Sequence, residues 1–374
     1  MVFEADAPRP GKKGGGNVVC ACKVFSFIAG MGERQTNFFK NWLHELKVLE
    51  YLSTRPECLV VGFYGYSLKH ESVSPLRHLK RVFKPHIPGP YEPPSENRCD
   101  FRLSGACSPQ SDGKIIVQIC MELMRGGSLR DNLLVLKRKG QLLSLKGAFN
   151  IMRQVALALQ GLHAPTHDVY ATRKKVSIVH RDMKPENILL SDKLTSKDAE
   201  SVICKLGDVG LASLRTDPSL ATRVHATTKV GKAGTYPYIA PETLLQGKCT
   251  PASDVFSLGL LMWELIEGET PFHDVANLDG MLPLFWQDGK RPPMDSAAFL
   301  RAPRALKVLI EKCWQTEKHR RPTADQIVQA IDEITLKLGI TLDNCGEPPS
   351  FASGQGAAAT TVGNTGFLRR LIGY

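Results

Sequence analysis

The segment "IVHRDMKPENILL", residues 178–190, concentrates polar side chains between two apolar ends. The residues that could do chemistry there are His180, Arg181, Asp182, Lys184 and Asn187. A carboxylate can orient a hydroxyl and accept its proton, and oxygen ligands suit a hard cation such as Mg²⁺. Cations beside them would meet the negative charge that spreads over the oxygens of a transferred phosphoryl group. These residue types suit acid–base and cation-assisted chemistry, of which phosphoryl transfer is one example.

Four further motifs surround this segment in the sequence. Downstream, "KLGDVGLA" offers Asp208 and "GTYPYIAPE" contains the triplet Ala240 to Glu242. Upstream, Lys23 ends the strand-like "CACK", and Glu45 lies in the next helical pattern. Taken alone, a Lys–Glu pair is usually an exposed ion pair without a catalytic role, and an Asp-Val-Gly triplet is usually a turn. The probability that five motifs with this spacing occur together by chance is below about one in a hundred.

In order and spacing, these motifs resemble those of a eukaryotic-type protein kinase over residues 1–337. The segments "SDVFSLGLLMWELIEGETPF", "QDGKRPPM" and "CWQTEKHRRPTADQI" resemble the tyrosine-kinase-like group of serine/threonine kinases. The resemblance implies an α+β, bilobal protein kinase fold, with a small β-rich N-lobe, truncated at its start, and a larger helical C-lobe. We expect the N-lobe and hinge over 1–124 with an insertion at 73–113, the C-lobe over 125–345, and a disordered Gly-, Ala- and Thr-rich tail over 346–374.

The resemblance also implies roles for the polar residues. Asp182 would orient the substrate hydroxyl and accept its proton, and Lys184 favours Ser or Thr over Tyr as the acceptor. Lys23 would bind the α- and β-phosphates of ATP and be held by Glu45. Mg²⁺ is the second expected cofactor, and its implied ligands are Asn187 and Asp208.

The adenine site is implied in the same way. Ala21 and Leu189 would sandwich the adenine, and Val2 would cap it. Met121 would be the gatekeeper, and the hinge would run from Glu122 to Met124.

Regulatory residues follow from the resemblance too. Arg181 would meet a phosphorylated activation loop, and Thr227 and Thr228 are the candidate phosphorylation sites, with an ordinary polar loop as the alternative. Thr235 fits the floor of the substrate site. Glu242 and Arg321 should form a structural ion pair in the helical lobe.

One residue departs from the family pattern inside the motifs. Val209 replaces the phenylalanine whose ring packs between His180 and Leu49, under the helix that carries Glu45, and helps to set the active state. The smaller side chain would cost about 1–3 kcal/mol of preference for the active arrangement if nothing compensates. The sequence therefore suggests weaker autonomous activation.

A second departure concerns the glycines of "GKKGGGNVVCACK". Gly11 and Gly16 have the spacing of a phosphate-binding P-loop, but Asn17 stands where that loop needs lysine. The glycines instead lie between "VFEA" and "VVCACK", which places them in a turn that joins two strands. "MVFEA" resembles the end of the family's glycine-rich unit, so we expect this chain to lack the first strand and that loop, and to bind ATP poorly.

The hydrophobic pattern predicts the elements that must position these residues. Residues 18–25 predict a strand with alternating faces, and 34–53 predict an amphipathic helix. Two more strands are predicted in "CLVVGFYGYSL" and "KIIVQICMEL". Helical spacing gives a buried stripe of Ala148, Ile151, Val155, Leu159 and Leu162. The segment "ASDVFSLGLLMWELIEG" is apolar nearly all round, which predicts a central helix.

Composition narrows the class of protein. A hydrophobic fraction of 43% with 23% charged residues is typical of a globular chain, and no apolar run reaches a membrane span of ~18 residues. Without a secretory signal, we expect an intracellular, cytoplasmic protein whose ten cysteines are reduced and mostly buried. The net charge of +11 is spread along the chain without interleaved aromatics, so nucleic acid is not an expected partner.

The sequence is compatible with three functions. The first is an active serine/threonine kinase that phosphorylates protein substrates in signalling, with an upstream kinase or scaffold as a further partner. The second is a pseudokinase or scaffold with weak or no nucleotide turnover. The third, suggested only by charge, is a non-enzymatic module that binds anionic partners. We rank them in that order.

Overall fold

A computed structural model describes residues 2–8, 17–28, 46, 48–49, 51–52, 59–71, 82–85, 114–167, 175–194, 199, 201–209, 213–215, 222–223 and 236–342. The described residues divide into two compact units. The first comprises Met1–Arg55 with Val61–Met124, and the second comprises Pro56–Val60 with Arg125–Tyr374. Among the described residues, no helix is both long and apolar enough to cross a bilayer.

The first unit is built on one antiparallel sheet of five strands in the order β1-β2-β5-β3-β4. The strands are β1 Val2–Pro8, β2 Asn17–Ile28, β3 Phe63–Glu71, β4 Val82–Pro85 and β5 Lys114–Glu122. The predicted strand over 18–25 is thus longer at both ends. Because β1 pairs with β2, the glycine-rich stretch connects two paired strands, as predicted, although residues 9–16 lie outside the described part.

Strand β4 was not predicted. It lies inside the segment 73–113, which the sequence presents as an insertion between two strands. Its residues Val82 and Phe83 are β-prone and pair with the outer side of β3. The sequence pattern missed it because four residues are too few to show alternation.

The two faces of β2 differ as the alternation predicts. Cys20 and Cys22 are buried, whereas Ala21 and Lys23 are partly exposed. Successive side chains of a strand point to opposite faces, so Lys23 is kept out of the apolar side of the sheet.

The predicted helix over 34–53 is described only in its second half. Leu46, Val48, Leu49 and Leu52 have helical backbone and are buried. Phe39, Trp42 and Glu45 lie outside the described residues.

The second unit is mainly helical. Its helices are α1 Leu129–Arg138, α2 Leu145–His163, α3 Pro241–Gln246, α4 Pro251–Glu267, α5 Leu278–Gln287, α6 Ala297–Arg301, α7 Arg304–Cys313 and α8 Ala324–Lys337. Short 3₁₀ turns cover Pro185–Asn187, Tyr236–Tyr238 and Lys318–Arg320.

Short strands complete this unit. They are β6 Gly127–Ser128, β7 Thr166–His167, β8 Lys175–Val179, β9 Ile188–Leu190, β10 Cys204–Leu206, β11 Ser213–Arg215, β12 Thr222–Arg223 and β13 Lys248–Cys249. They form the ladders β10-β9-β6, β11-β8-β7 and β12-β13. Leu59 and Val60 join this unit, because the carbonyl of Leu59 accepts a hydrogen bond from the Leu206 N–H and Val60 bridges to Leu206.

The core of the second unit lies around α2 and α4. The predicted stripe on α2 is confirmed, since all five of its residues are buried. Helix α4 is buried along almost its whole length, also as predicted, and lies close against α7 at Gly259 and Cys313. Because its apolar side chains fill the core, the few polar groups on α4 must find partners inside the protein.

Candidate active site

The polar loop identified in the sequence connects β8 to β9. It starts at His180, turns at Arg181 and ends in the 3₁₀ turn Pro185–Asn187. Arg181 has a φ of 74°, a left-handed conformation that few non-glycine residues adopt. Such a conformation persists only where the surroundings hold it in place.

Asp254 of α4 holds this turn. Its Oδ2 accepts a hydrogen bond from the His180 N–H and its Oδ1 accepts one from the Arg181 N–H, each at 2.8 Å. His163 of α2 also contacts Oδ2, at 2.9 Å. Asp254 is 1% exposed, so its charge is satisfied by donors of the protein.

The ring of His180 links the loop to the segment after β10. Its Nε2 lies 3.0 Å from the carbonyl oxygen of Gly207, and its Nδ1 lies 3.3 Å from the Asp182 nitrogen. A carbonyl can only accept and a backbone N–H can only donate, so the neutral ring carries its proton on Nε2. His180 is thereby fixed in both position and tautomer.

Asp182, Lys184 and Asn187 meet at one carboxylate oxygen. The Oδ2 of Asp182 lies 2.8 Å from Lys184 Nζ and accepts a hydrogen bond of 2.9 Å from Asn187 Nδ2. The same Nδ2 also donates to the backbone carbonyl of Asp182 at 2.7 Å. These contacts use Oδ2 of the carboxylate and Nδ2 of the amide, so Asp182 Oδ1 and Asn187 Oδ1 are not engaged by them.

Asp208 lies next to this group along the chain. The N–H of Gly207 donates to the carbonyl of Asn187 at 2.8 Å, which brings the start of "GDVG" against the loop. Asp208 is exposed and has a φ of 53°, and the following Val209 is 1% exposed. The structure therefore turns one side chain outward and buries the next.

Arg181 lines a cavity beside Asp182. The cavity has a volume of about 30 Å³, and its other lining residues include Tyr238, Ala240, Thr243 and Cys249. The buried Nε of Arg181 has no hydrogen-bond partner among the residues that the structure describes. A buried guanidinium nitrogen in this state is suited to an anionic partner.

A buried ionic network lies on the other side of the 3₁₀ turn. Arg130 of α1 bridges Glu186 at 3.0 Å, contacts Glu264 of α4, and donates to Tyr238 and to Thr270. Tyr238 in turn donates to Glu264 at 2.5 Å. Burial raises the pKa of Glu264 to about 7, although Arg130 and Tyr238 oppose the rise. Burial, reinforced by Glu264, also raises the pKa of Tyr238.

The predicted pair of Glu242 and Arg321 is confirmed. Arg321 donates to both carboxylate oxygens, at 2.7 and 2.9 Å, and is 7% exposed. Burial opposes ionisation of Glu242, but the hydrogen bonds and charge of Arg321 hold the pKa of that carboxyl below its ordinary value. The pair fixes α3 near the start of α4, since Ser253 also donates to Glu242.

The predicted nucleotide residues of the first unit lie on β1, β2 and β5. Ala21 is directly opposite Met121 in the β2-β5 ladder, and Val2 is directly opposite Lys23 in the β1-β2 ladder. Glu122 ends β5, where its Oε2 accepts a hydrogen bond of 3.0 Å from the Gly62 N–H.

The remaining predicted site residues lie in separate segments or outside the described part of the chain. Met124 follows β5 and is 8% exposed. Leu189 lies in β9, opposite Lys205 and Ser128. Glu45, Thr227, Thr228 and Thr235 lie outside the described residues.

The sequence reading missed Asp254 and the Arg130 network. An acidic residue in the first turn of an apolar helix is an ordinary helix-terminal feature, so Asp254 carried no separate signal. Glu186 stands between the assigned residues of the polar loop, but its partner Arg130 is 56 residues away. Only the fold brings such partners together.

Part of this chain is similar to known proteins. Residues 103–331 match the family model described as protein kinase domain. Over 231 residues the chain is 30% identical to the putative serine/threonine-protein kinase/receptor R831 of Acanthamoeba polyphaga mimivirus, which covers 62% of the chain and 12% of that protein.

Two animal relatives have similar coverage. Mitogen-activated protein kinase kinase kinase 10 of Mus musculus is 30% identical over 62% of the chain and 21% of its own length. Ephrin type-A receptor 4-A of Xenopus laevis is 35% identical over 58% of the chain and 19% of its own length. The chain thus spans about a fifth or less of the length of these relatives.

Proposed function

Because the chain belongs to the protein kinase family, we propose that it is an ATP-dependent serine/threonine kinase that transfers the γ-phosphoryl group to Ser or Thr hydroxyls of protein substrates. One observation carries the proposal. Lys184 and Asn187 both contact one carboxylate oxygen of Asp182, in a loop that the buried Asp254 holds in place.

In this proposal Asp182 is the catalytic base. Lys184 and Asn187 bind its Oδ2 and fix the carboxylate plane, which leaves Oδ1 to receive the substrate proton. The substrate oxygen then bonds to the γ-phosphorus as the bond to the leaving ADP oxygen breaks. The charge of Lys184, 2.8 Å from Asp182, supports a short acceptor such as Ser or Thr and stabilises the transferred group.

Mg²⁺ fits the oxygen atoms beside this base. The amide oxygen of Asn187 and the carboxylate of Asp208 are hard donors of the kind that Mg²⁺ prefers. The ion would neutralise the phosphate oxygens of ATP as charge develops during transfer. The Gly207 hydrogen bond to Asn187 would keep the two candidate ligands in adjacent segments.

ATP binding is assigned to the residues that the resemblance to protein kinases implies. We assign the phosphates to Lys23, with Glu45 as its support. The adenine ring and its hinge are assigned to Val2, Ala21, Met121, Glu122, Met124 and Leu189. The register that sets Ala21 opposite Met121 supports this assignment, because both side chains lie on the same face of the sheet.

Regulation is assigned to the loop around Arg181. Its buried Nε has no hydrogen-bond partner within the described part of the chain and lies beside the cavity next to Asp182, which supports a phosphate on Thr227 or Thr228 as the partner. Thr235 is assigned to the substrate floor. An upstream kinase that adds this phosphate, or a scaffold that presents it, would be a partner in an intracellular, cytoplasmic signalling pathway.

A pseudokinase or scaffold is the second candidate. Val209, buried where the family has phenylalanine, favours it, because a smaller side chain weakens the packing of the active state. Such a protein would bind partners while turning over little nucleotide.

Phosphate transfer to peptides that contain Ser, Thr or Tyr tests the proposal. With ATP and Mg²⁺ we expect labelled phosphoserine or phosphothreonine, and Asp182→Asn should lower the rate at least about 100-fold without a change in fold. Asp274→Asn is the matched control, since Asp274 is exposed on the same unit.

Three results would count against the proposal. Equal rates for the wild type and Asp182→Asn would exclude Asp182 as the base. Phosphotyrosine as the main product would exclude the acceptor assignment. A wild type that binds ATP in a thermal-shift assay but transfers no phosphate would favour the pseudokinase.

A further inference from the structure

A buried amide of α2 binds the edge of β10, the strand that leads to Asp208. Because β10 is the end strand of the ladder β10-β9-β6, its backbone groups that face away from β9 need other partners. Gln154 supplies two of them. Its Nε2 donates to the Val202 carbonyl at 2.9 Å, and its Oε1 accepts a hydrogen bond of 2.8 Å from the Cys204 N–H. A side-chain amide has the donor and acceptor of a peptide group, so Gln154 takes the place of a neighbouring strand.

The amide of Gln154 is itself held in one orientation. Its Nε2 lies 3.2 Å from Asn150 Oδ1, and Asn150 Nδ2 donates to the carbonyl of Ala199 at 2.9 Å. Gln154 and Asn150 are each 1% exposed. A rotated amide would point its NH₂ group at a backbone donor in a buried site, which is costly. The two side chains therefore fix the start of β10 relative to α2.

Hydrogen bonds along β10 continue to the residue before Asp208. The N–H of Leu206 donates to the carbonyl of Leu59 at 2.8 Å, and the N–H of Gly207 donates to the carbonyl of Asn187 at the same distance. Strand β10 is only three residues long. A displacement at its start is therefore carried to Asp208, which directly follows Gly207.

The proposed base is held by a different set of contacts. Asp254 accepts the hydrogen bonds that fix the loop of Asp182, and Lys184 and Asn187 contact the Asp182 carboxylate. None of these contacts involves Gln154. Loss of the Gln154 amide should accordingly displace Asp208 more than Asp182.

We propose that Gln154 is a positioning residue for Asp208 and, through it, for the Mg²⁺ that the proposed function assigns there. The inference rests on the proposed function for the metal, and it adds a residue that acts through the backbone of β10 without touching the ion. Gln154→Met keeps the length of the side chain but removes both hydrogen bonds to β10 and Val202. This variant should bind the metal more weakly.

Mn²⁺ binding to the full chain tests the inference without an activity assay. Mn²⁺ is paramagnetic and prefers the same oxygen ligands as Mg²⁺, so electron paramagnetic resonance can follow its binding with a non-hydrolysable ATP analogue. We expect Gln154→Met to raise the dissociation constant of Mn²⁺ about 10-fold. Asn132→Leu is the matched control, because it removes a buried amide that binds the backbone at Gly126 and Leu194 instead of β10. It should leave the constant unchanged.

Hydrogen exchange and kinetics give two further measurements. Exchange in a peptide that covers residues 202–208 should be about 10-fold faster in Gln154→Met and unchanged in Asn132→Leu. In the peptide assay, the KM for Mg²⁺ should rise about 10-fold, with a kcat at saturating Mg²⁺ within about threefold of the wild type. Lost stability alone would not produce this division between KM and kcat.

The wild type provides a test that needs no variant to fold. Coupling between two sites is reciprocal, so Mn²⁺ with the ATP analogue should slow exchange in the 202–208 peptide at least about threefold. No slowing would overturn the inference. Equal effects of Gln154→Met and Asn132→Leu on the Mn²⁺ dissociation constant would overturn it too.

Asp208→Asn distinguishes this inference from the proposed function. If Asp208→Asn weakens Mn²⁺ binding and Gln154→Met does not, the positioning role of Gln154 alone is wrong. If neither substitution weakens binding, the metal assignment of the proposed function is wrong as well.

Discussion

At the scale of single residues, the buried charge of Asp254 holds the loop that carries the proposed catalytic residues. Its carboxylate accepts hydrogen bonds from two consecutive backbone N–H groups, and these stabilise the left-handed turn at Arg181. Hydrogen bonds to a charged acceptor are about twice as strong as neutral ones. The position of Asp182, one residue further on, depends on that turn.

We therefore expect Asp254→Asn to be costly. Asparagine keeps one acceptor oxygen but turns an NH₂ group toward a backbone donor, so the free energy of unfolding should fall by about 2–4 kcal/mol. Misplacement of Asp182 should lower phosphate transfer by up to about 100-fold. Urea unfolding and the peptide assay measure the two effects.

Asp332→Asn is the control for this change. Asp332 pairs with Arg153 at 2.6 Å, but its side chain is 45% exposed, and surface pairs contribute less than about 1 kcal/mol. Equal effects of the two substitutions would show that the anchoring role assigned to Asp254 is wrong.

Val209 gives a second prediction at this scale. Val209→Phe should raise the activity of the unphosphorylated chain, because the larger ring would fill the packing that the family uses in its active state. It should also cost about 1–3 kcal/mol of stability if the buried site does not expand. Val209→Ile, which stays aliphatic, is the control. Unchanged activity in Val209→Phe, with or without loop phosphorylation, would remove the basis for weaker activation.

At the scale of elements, the contact between α4 and α7 depends on a residue without a side chain. A Cβ on Gly259 would lie 2.8 Å from the Cβ of Cys313 and 3.3 Å from the backbone nitrogen of Trp314. Backbone atoms cannot rotate away as a side-chain end can. The two helices must separate slightly to accept any larger residue.

Gly259→Ala should accordingly destabilise the protein by about 1–3 kcal/mol, although alanine favours a helix. Gly280→Ala in α5 is the control. There the new Cβ meets the side-chain end of Asn277 at 2.9 Å, and the change should be neutral or stabilise by up to about 1 kcal/mol. Chemical denaturation of both variants would test whether the difference has the expected sign.

The network that joins α1 to α4 predicts a pH dependence. The pKa of Glu264 is about 7 in the folded chain, against an ordinary value of 4.5, so the folded state binds the proton more tightly than the unfolded state. This contribution to stability is complete below pH 4.5 and is lost as the pH rises to 7 and above. The groups that face Glu264 are Arg130, Tyr238 and Glu186.

Glu264→Gln should remove this dependence, since glutamine does not titrate. Relative to the variant, the free energy of unfolding of the wild type, measured by chemical denaturation, should fall by up to about 3 kcal/mol between pH 4.5 and 7. Glu269→Gln, at the exposed pair with Lys137, should leave the wild-type profile unchanged. If the free energy of unfolding changed with pH in the same way in the wild type and in Glu264→Gln, the prediction would be wrong.

At the scale of the whole molecule, the chain comprises a β-rich unit and a helical unit. The family, the strand that contains Lys23 and the stripe on α2 could be predicted, because each rests on a local period or a short motif. The ion pair of Glu242 with Arg321 could be predicted only because the family resemblance implies it. Strand β4 and the partners of Arg130 could not. They depend on pairing across many residues, which a single sequence does not encode in any local pattern.

The order of synthesis also matters for the loop that carries the proposed catalytic residues, because the residue that holds it comes later in the chain. Asp254 follows His180 by 74 residues, and Arg321 follows Glu242 by 79. During synthesis from the N-terminus, the loop leaves the ribosome well before the carboxylate that fixes its turn. We therefore expect a nascent chain that contains the proposed catalytic side chains but ends before α4 to transfer no phosphate, because the carboxylate that holds the loop is not yet present.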